Sequence, residues 1–576
     1  MPAQQTYLDV TQGNRVFDSL YDSELPRLDD DCGSWWKAVE ERAESAPADI
    51  VPGLLSQTIA AAGMDVRVGG GTSCTFSAHP PADGRRTSSK KLSGVPHPHV
   101  HPGRFEVRDA EIGDLSSLAR NLRSDDLLVA IAKPPPAKNR ALALGIAGRG
   151  FGGNLTSDST RLDGYVLSTD VAPTVLERLG LEAPSEMSGE PIRAEGTVDA
   201  AAVASLADRM AVISHRRGPV IGLSLLAWLA LLGLALAVTR GAAGRTGVRL
   251  AGLAVIYMPL ALLLAAAIEP GESAEALLVM LGAPLLAALT LALLHGYRAL
   301  AVASALTVAA YAVDVLLGSP LTALSLLGPN PGLGVRFYGI GNELEALLAV
   351  LVVAGTGAGL AGFASGLSLR RCAATFLVIG LVFAFVFAAG RFGADVGAAI
   401  VFPVGAAVAA AAIAGTGRRS ALLVIAAPFA VLALLALVDL LSGANAHLTR
   451  SVLDAGGLGD LSDVAQRRLQ LSAHSFERPV LLVFLPLVAA LVALAIIRRD
   501  RLRDWLRGSP AMRAGLMGAL AATAIGTLAN DSGALLLEIG TAYLLVFTGF
   551  AWAEGAPSAP QTKSYNVASH TSHLSA

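Results

Sequence analysis

The pattern of apolar and polar residues divides the chain into two parts. Residues 1–215 are charged and proline-rich, whereas long runs of Leu, Ala and Val begin near Gly218. A membrane-spanning helix needs about 20 mostly apolar residues. Eleven runs of suitable length follow, at 219–239, 250–268, 276–294, 299–317, 344–364, 374–390, 395–414, 420–441, 479–497, 512–529 and 534–552. The pattern predicts an all-α polytopic membrane bundle of about 11 helices over residues 216–552.

The first part of the chain alternates apolar strand-like runs with helical segments. Residues 112–123 have helical periodicity, and residues 127–132, 141–146 and 164–167 have the composition of buried strands. Residues 168–179 predict a further helix, because a Ser-Thr-Asp cap precedes a proline in the first turn. This alternation predicts an α/β domain with a parallel sheet over residues 1–215.

Composition agrees with a membrane protein and limits the partners. The chain is 53% hydrophobic and 16% charged, which is too apolar for an ordinary soluble protein. A net charge of −2 gives no indication of a nucleic-acid partner, so membrane lipids are the expected surroundings. Cys32 and Cys74 can pair if both are extracytoplasmic, but the sequence does not establish a disulfide, and free thiols are favoured for these two and for Cys372.

Arginines in the loops predict the orientation. One set of alternate loops carries 13 arginines and the opposite set carries 6, and the richer set is expected in the cytoplasm of a cell-membrane protein. Residues 1–215 are then extracytoplasmic, and the tail at 553–576 is cytoplasmic and disordered. Residues 1–31 lack the features of a signal peptide. We therefore expect a leading signal helix before this sequence, although the first span can also carry the domain outward.

Three polar stretches interrupt the apolar runs on the predicted outer side. They read Arg336-Phe-Tyr-Gly-Ile-Gly-Asn-Glu343, Gly390-Arg-Phe-Gly-Ala-Asp-Val-Gly397 and Asn530-Asp-Ser-Gly533. Such residues are costly in hydrocarbon and usually mark function, so we expect one shared site. Anchoring at the headgroup level is the plainer interpretation of each stretch alone.

The residue types suggest roles within that site. Glu343 or Asp395 is suited to act as a general base, or as a proton or cation site in a transporter. Arginine is suited to bind phosphate or carboxylate. The expected substrate-binding residues are Arg336, Tyr338, Asn342, Arg391, Asn530 and Asp531. Deeper in the spans, Asp314 and Glu538 are candidates for a proton or ion path.

No cofactor or metal is expected. His97-Pro-His-Val-His101 places three imidazoles on one face of an extended chain, but no nearby Cys or acidic residue completes a known metal spacing. An exposed loop is therefore favoured there. The run Gly69-Gly-Gly71 lacks the spacing of a phosphate-binding loop and predicts a turn.

Three segments of the first part resemble the C-terminal region of the alkaline phosphatase superfamily. They are Leu155-Thr-Ser-Asp-Ser-Thr-Arg161, Ser168-Thr-Asp-Val-Ala-Pro-Thr-Val-Leu176 and Met187-Ser-Gly189, within residues 122–192. The resemblance implies a partial alkaline phosphatase-like α/β fold. Active members hold two metals through Asp-His pairs, whereas this chain has Ala132-Lys-Pro-Pro-Pro136 where such a pair is expected. The resemblance thus implies a degenerate domain with a binding or structural role, and an active hydrolase is the alternative.

The whole chain also resembles a group of actinobacterial envelope proteins that join such a domain to a multi-span region with similar polar motifs. The resemblance implies the architecture and no particular reaction. Three functions stay open at this point. The first is a transferase or ligase that handles a lipid-linked phosphate or glycan at the outer face. The others are a transporter or flippase, and a non-catalytic scaffold of the cell envelope.

Overall fold

The computed structural model describes residues 3–16, 21–25, 32–46, 48–69, 104–133, 141–238, 241–329, 337–415, 417–442, 475–476, 481–530 and 532–555. The chain forms two compact units. The first unit consists of Met1–Pro219, Ala266–Glu269 and Leu317–Gly339. The second unit consists of Val220–Ala265, Pro270–Leu316 and Ile340–Ala576.

The first unit contains short helices and three pairs of strands. The helices are α1 (Ala3–Gln12), α2 (Cys32–Glu44), α3 (Leu54–Ala61), α4 (Ile112–Arg120) and α5 (Val171–Arg178). The strands are β1 (Asp65–Val68), β2 (Arg104–Val107), β3 (Leu127–Ile131), β4 (Leu144–Gly148), β5 (Asn154–Thr156) and β6 (Arg193–Glu195). A 3-10 turn at Ser168–Asp170 leads into α5.

The strand pairing corrects the predicted parallel sheet. Among the described strands, β1 and β2 pair in parallel, but β3–β4 and β5–β6 are antiparallel. The predicted strand at 164–167 is wrong. Gly164 has φ +88° and Leu162 forms an isolated bridge to Tyr165, so the chain turns there instead of extending. An apolar run bounded by turn residues does not by itself distinguish these outcomes.

Apolar side chains from several elements form the cores of the first unit. Trp35 and Trp36 of α2 pack edge to face with ring centroids 5.5 Å apart, and both are buried against Leu8 of α1. A second core joins α3 and α5 through Ile59 and Leu176. Each apolar side chain removed from water in this way contributes about 1.5–3 kcal/mol before entropic costs.

The second unit is built from long apolar helices. They are α6 (Ala200–Val238), which begins in the first unit, α7 (Ala242–Ile268), α8 (Glu272–Leu293), α9 (Tyr297–Leu316), α11 (Asn342–Phe363), α12 (Leu369–Ala388), α13 (Ala398–Ala414), α14 (Arg418–Ser442), α15 (Leu481–Ile497), α17 (Pro510–Ala529) and α18 (Gly533–Glu554). Two shorter helices are α10 (Pro320–Leu324), in the first unit, and α16 (Arg499–Trp505).

Eight helices of the described chain are long and apolar enough to cross a membrane. Three shorter apolar segments, at Ala398–Ala414, Val424–Leu435 and Phe484–Ile497, overlap the other predicted spans. The protein is therefore a multi-pass membrane protein, with eight of the eleven predicted spans supported at full length. Leucines on the outer faces of these helices, such as Leu226 and Leu285, remain exposed, as lipid-facing side chains are.

Prolines inside the helices are compensated by side chains from neighbouring helices. Proline has no N–H, so the carbonyl four residues earlier loses its helical donor. Pro259 of α7 leaves the carbonyl of Val255, which accepts a hydrogen bond from the Tyr543 hydroxyl at 3.2 Å. Pro284 of α8 leaves the carbonyl of Met280, which accepts from the Trp228 indole N–H at 3.0 Å. These contacts satisfy polar groups where lipid offers no partner.

Three helices approach closely enough for their backbones to touch. A Cβ atom built on Gly357 of α11 would lie 3.1 Å from the Cα atom of Gly515 of α17. One built on Gly405 of α13 would lie 3.1 Å from the carbonyl oxygen of Gly518 on the same helix α17. No hydrophobic effect drives helices together in lipid. Close van der Waals packing at small residues stabilises such crossings instead. The helices α11, α13 and α17 therefore form a tight core beneath their connecting segments.

Candidate functional site

The last residues of the first polar stretch, 340–343, meet the other two polar stretches in the second unit. The N–H of Ile340 donates to the carbonyl oxygen of Gly393 at 3.0 Å, which joins the first stretch to the second. The carboxamide of Asn530 donates to Glu345 Oε2 at 2.7 Å, which joins the third stretch to the helix that follows the first. Residues separated by up to 188 positions in the chain thus come into direct contact.

Glu345 is the central carboxylate of this region, although it is not among the residues that the sequence predicts for the site. It lies in the first turn of α11 and is 0% exposed, whereas Glu343 of the same turn is half-buried. Residues two apart on a helix point to different faces, so Glu345 faces the bundle and Glu343 does not share that face. The partial positive charge at a helix N-terminus favours a carboxylate there.

Asp395 lies in a tightly folded segment between α12 and α13. Its N–H donates to the carbonyl of Phe387 at 3.1 Å, and its Oδ1 accepts from the N–H of Gly397 at 3.0 Å. The preceding residue, Ala394, has φ +52°, a conformation that is strained for any residue with a side chain. A Cβ atom at Gly393 would collide with the Phe387 backbone. The backbone therefore fixes Asp395, which is 3% exposed.

Gly397 brings the two carboxylates together. It donates its N–H to Asp395, and a Cβ atom built on it would lie 2.6 Å from Glu345 Oε1. Only a residue without a side chain leaves room for the Glu345 carboxylate at this distance. Both acidic side chains thus contact the same residue at the beginning of α13.

Asn530 completes the arrangement from the end of α17. Its Nδ2 contacts Glu345 and lies 3.4 Å from Oδ1 of Asn342, and its own Oδ1 accepts from the N–H of Ser532 at 3.2 Å. Both ends of the carboxamide are thereby engaged, and the side chain is 6% exposed. We call Asn342, Glu345, Asp395 and Asn530 the acidic cluster.

Of the other predicted binding residues, two belong to the described chain and two fall outside it. Arg391 is exposed, and Tyr338 lies in the first unit, where its ring faces Arg161. Arg336 and Asp531 fall outside the described residues, as do the His97–His101 motif and the second and third glycines of the 69–71 run. The roles proposed for these residues stay predictions.

The candidates for a proton or ion path sit on two different helices. Asp314 is buried near the end of α9, and Glu538 is half-buried in α18. Their pairing stays a prediction. Within the described residues, no group of three or more His, Cys, Asp or Glu side chains is arranged to hold a metal ion.

A second buried carboxylate, Asp170 in the first unit, connects the segments that carry the superfamily resemblance. Its Oδ2 accepts from the Ser157 hydroxyl at 2.6 Å and the Leu167 N–H at 2.9 Å. Its Oδ1 accepts from the Ser159 hydroxyl at 2.6 Å and the Glu190 N–H at 3.0 Å. Burial raises the pKa of Asp170 above its usual range, and the four hydrogen bonds offset only part of that shift. Asp170 therefore connects separate segments of the first unit and has the surroundings of a structural residue.

Comparison with known proteins returned no match: no family model, no curated protein and no solved structure is similar to this chain. The implied relation to the alkaline phosphatase superfamily is thus without support from these comparisons.

The chemistry of the acidic cluster follows from its composition. Two buried carboxylates beside one glycine, with two carboxamides, bring several oxygen atoms together in the interior of the second unit. Carboxylate and carboxamide oxygens are groups that protons and cations bind.

Proposed function

We propose that the protein is a membrane transporter in which the acidic cluster binds a proton or a monovalent cation and couples it to movement of a cargo. The observation that supports this most is the contact of Asn530 with Glu345 beside Asp395, between helices of the bundle. Intramembrane carboxylates that face a bundle interior are characteristic of proton and ion pathways. Helix ends and non-helical backbone in a bundle are typical places for coupling ions.

The arginine distribution also predicts the side of the membrane on which the acidic cluster lies. If the arginine-rich loops are cytoplasmic, the segments that carry Asn342, Asp395 and Asn530 belong to the outer ends of their helices. The coupling ion would then bind from the extracytoplasmic side. Impermeant labelling of a cysteine placed at position 394 tests this side directly, in a variant that lacks the three native cysteines.

The experiment for ion binding is a thermal unfolding series on the purified full chain in detergent. Sodium, lithium or potassium replaces choline at constant ionic strength, and a parallel series varies the pH. A ligand that binds only the folded state raises the unfolding temperature. We expect one cation, or the proton, to stabilise the wild type, and Glu345→Gln and Asp395→Asn to lose this response.

The matched control is Glu272→Gln, which neutralises an exposed carboxylate in the first turn of α8. It is expected to keep the full response. An identical response in the wild type and Glu345→Gln to every cation and to pH would contradict the proposal.

A lipid-handling enzyme is the second candidate, and the position of Arg391 favours it. This arginine is exposed four residues before the buried Asp395, and a guanidinium is suited to bind a lipid-linked phosphate. In that function Glu343 or Asp395 acts as the base, and Arg391→Gln weakens binding of a polyprenyl phosphate in nanodiscs.

Two substitutions separate the candidates. Arg370→Gln removes an exposed arginine near the opposite end of α12 and serves as the control for lipid binding. Glu343→Gln retains the cation response if the protein is a transporter of the proposed kind, and abolishes turnover if Glu343 is the base of an enzyme.

A further inference from the structure

The short helix α16 lies between two apolar helices of the second unit. The helix α15 contains the apolar segment Phe484–Ile497, and α17, which begins at Pro510, is long and apolar enough to cross a membrane. The connection between them, residues 498–509, is short and carries α16. Because both neighbours are apolar, this connection is expected at the edge of the hydrocarbon region, where headgroups begin.

Contacts at both ends of α16 fix its orientation within the second unit. The N–H of Arg498 donates to the carbonyl of Leu494 in α15 at 2.8 Å, so the chain passes from one helix to the next without a free loop. At the other end, a Cβ atom built on Gly555, which follows α18, would lie 2.7 Å from the carbonyl oxygen of Trp505. Leu506, the next residue, is buried. The helix therefore presents defined inner and outer faces.

The inner face of α16 is apolar. Leu502, Trp505 and Leu506 are three or four residues apart and lie on one side of the helix. Leu506 is buried and the other two are half-buried, whereas the remaining residues of α16 are exposed. We call these three residues the apolar stripe.

The outer face of α16 carries two ion pairs. Arg503 Nη1 lies 3.4 Å from Asp500 Oδ1, and Arg507 Nη2 lies 2.5 Å from Asp504 Oδ1. At 100° per residue these four side chains lie opposite the apolar stripe. Two of the arginines in this segment thus have carboxylate partners on the side of the helix that faces water.

Three further arginines border the apolar stripe. Arg498 directly precedes α16, and Arg499 and Arg501 belong to its first turn. Helical geometry places Arg499 and Arg501 on opposite sides of the stripe. All three are exposed, and within the described part of the chain none of them forms an ion pair. We call them the flanking arginines.

The flanking arginines adjoin an exposed apolar surface at the end of α15. Ile496 and Ile497 are 63% and 74% exposed, directly before Arg498. A phospholipid matches this sequence of surfaces, because its acyl chains are apolar and its phosphate accepts paired hydrogen bonds from guanidinium groups. Residues 498–507 include five arginines and two aspartates, so a lipid of net negative charge is favoured over a zwitterionic one.

We propose that the flanking arginines form a binding site for the headgroup phosphate of an anionic phospholipid, with an acyl chain against Ile496 and Ile497. The bound lipid holds the apolar stripe at the membrane edge, and the two ion pairs of α16 remain in water. This inference stands on contacts of the second unit and does not depend on the proposed function.

Fluorescence quenching tests the proposal on the purified full chain in a neutral detergent. Phosphatidylglycerol with brominated acyl chains is the quencher, and the part of the quenching that disappears in Trp505→Phe reports lipid at α16. We expect this part to saturate and to weaken at high salt, since exposed charges are screened. Brominated phosphatidylcholine is expected to quench it much less. Equal quenching by the two lipids would overturn the proposal.

Two double substitutions that remove the same charge test the role of the flanking arginines. Arg499→Gln/Arg501→Gln is expected to weaken phosphatidylglycerol binding about fivefold for each arginine removed. The matched control, Arg503→Gln/Arg507→Gln, changes the outer face and is expected to keep the affinity of the wild type. Equal weakening in both would overturn the proposal, because net charge alone would then explain binding. Unchanged affinity in the first variant would overturn it as well.

Glycerol phosphate distinguishes a lipid from a soluble phosphate as the ligand. It lacks acyl chains and is expected to leave the quenching unchanged at the concentration of the lipid. Removal of the quenching at that concentration would assign the arginines to a soluble phosphate and overturn the proposal. A wild type that shows the expected lipid binding but no cation response refutes the proposed function and leaves the lipid site in place.

Discussion

Two buried carboxylates of this protein, Asp170 and Glu345, have opposite surroundings. Asp170 accepts four hydrogen bonds from neutral hydroxyl and backbone donors that all belong to its own unit. Glu345 accepts from the amide of Asn530 and lies beside a glycine that also contacts the carboxylate of Asp395. Asp170 is thus buried among neutral donors, whereas Glu345 is buried near a second acidic group.

The groups around a buried carboxylate indicate whether its role is structural or functional. A carboxylate that neutral donors surround is stabilised in a fixed position and organises the chain around it. A carboxylate close to a second acidic group adds to a set of oxygen atoms of the kind that a proton or a cation binds. We therefore interpret Asp170 as structural and Glu345 as functional, and the following substitutions test that contrast.

The largest effect is expected for Asp170→Ala. The substitution leaves the Ser157 and Ser159 hydroxyls and the Leu167 and Glu190 amides without their acceptor. It should lower the free energy of unfolding of the first unit by about 3–5 kcal/mol, because each unpaired buried donor is costly. Fluorescence of the buried Trp35 and Trp36 during denaturant unfolding measures this loss.

If Asp170 were functional instead, the variant would remain as stable as the wild type and lose only activity. That outcome would remove the contrast between the two carboxylates.

A smaller loss of stability and a complete loss of the cation response are expected for Gly397→Ala. The added methyl would lie 2.6 Å from Glu345 Oε1 and force the carboxylate to move. Overpacking of this kind costs about 1–3 kcal/mol. The unfolding temperature with and without the stabilising cation measures both effects.

Gly282→Ala is the matched control for that substitution. Gly282 lies in α8 with open space around its Cα atom, and alanine there is expected to be neutral or slightly stabilising. A Gly397→Ala variant with an intact cation response would show that the two carboxylates do not depend on their shared contact.

Tyr543→Phe is expected to cost about 1 kcal/mol, since it leaves the Val255 carbonyl without the donor that compensates for Pro259. The cation response should persist because Tyr543 lies outside the acidic cluster. Thermal unfolding in detergent measures the loss. A loss of cation response in this variant would show that polar contacts elsewhere in the helices also belong to the functional site.

The smallest effect is a pH dependence that Asp170 contributes to the stability of the first unit. Its folded pKa is raised above the usual value of 3.8, so protonation favours the folded state. The contribution is fully present below pH 3.8 and is lost as the pH rises through the raised pKa. Asp170→Asn removes this contribution to the free energy of unfolding. The free energy of unfolding of the wild type minus that of the variant should therefore fall as the pH rises from 3.8 through the raised pKa. A constant difference would contradict the raised pKa.

Much of the membrane part is evident from the sequence, because uninterrupted apolar runs such as 250–268 and 344–364 leave few alternatives to a spanning helix. The strand pairing of the first unit is not evident. Local pattern identifies the strand Leu127–Ile131, but its antiparallel partner depends on contacts that periodicity does not encode. The strand expected at 164–167 fails for a local reason, the turn at Gly164.

The candidate site shows the same division. The three polar stretches are visible in the sequence as breaks in apolar runs, and the structure brings them together. The sequence does not distinguish Glu345 from Glu343, because both lie in the first turn of the same helix. The contact with Asn530 shows which of the two carboxylates faces the bundle. The contact between Arg161 and Tyr338 is likewise invisible, since it joins two motifs that are 177 residues apart.

The most direct test of cation binding by the acidic cluster is equilibrium binding of radioactive sodium to the purified chain at several pH values, in the wild type, Glu345→Gln and the control Glu272→Gln. A coupling site at the cluster should give saturable binding that competes with protons, or proton release and uptake alone, in the wild type and the control, and neither in Glu345→Gln. Equal cation and proton binding in Glu345→Gln and the wild type would contradict the claim that the acidic cluster is the coupling site.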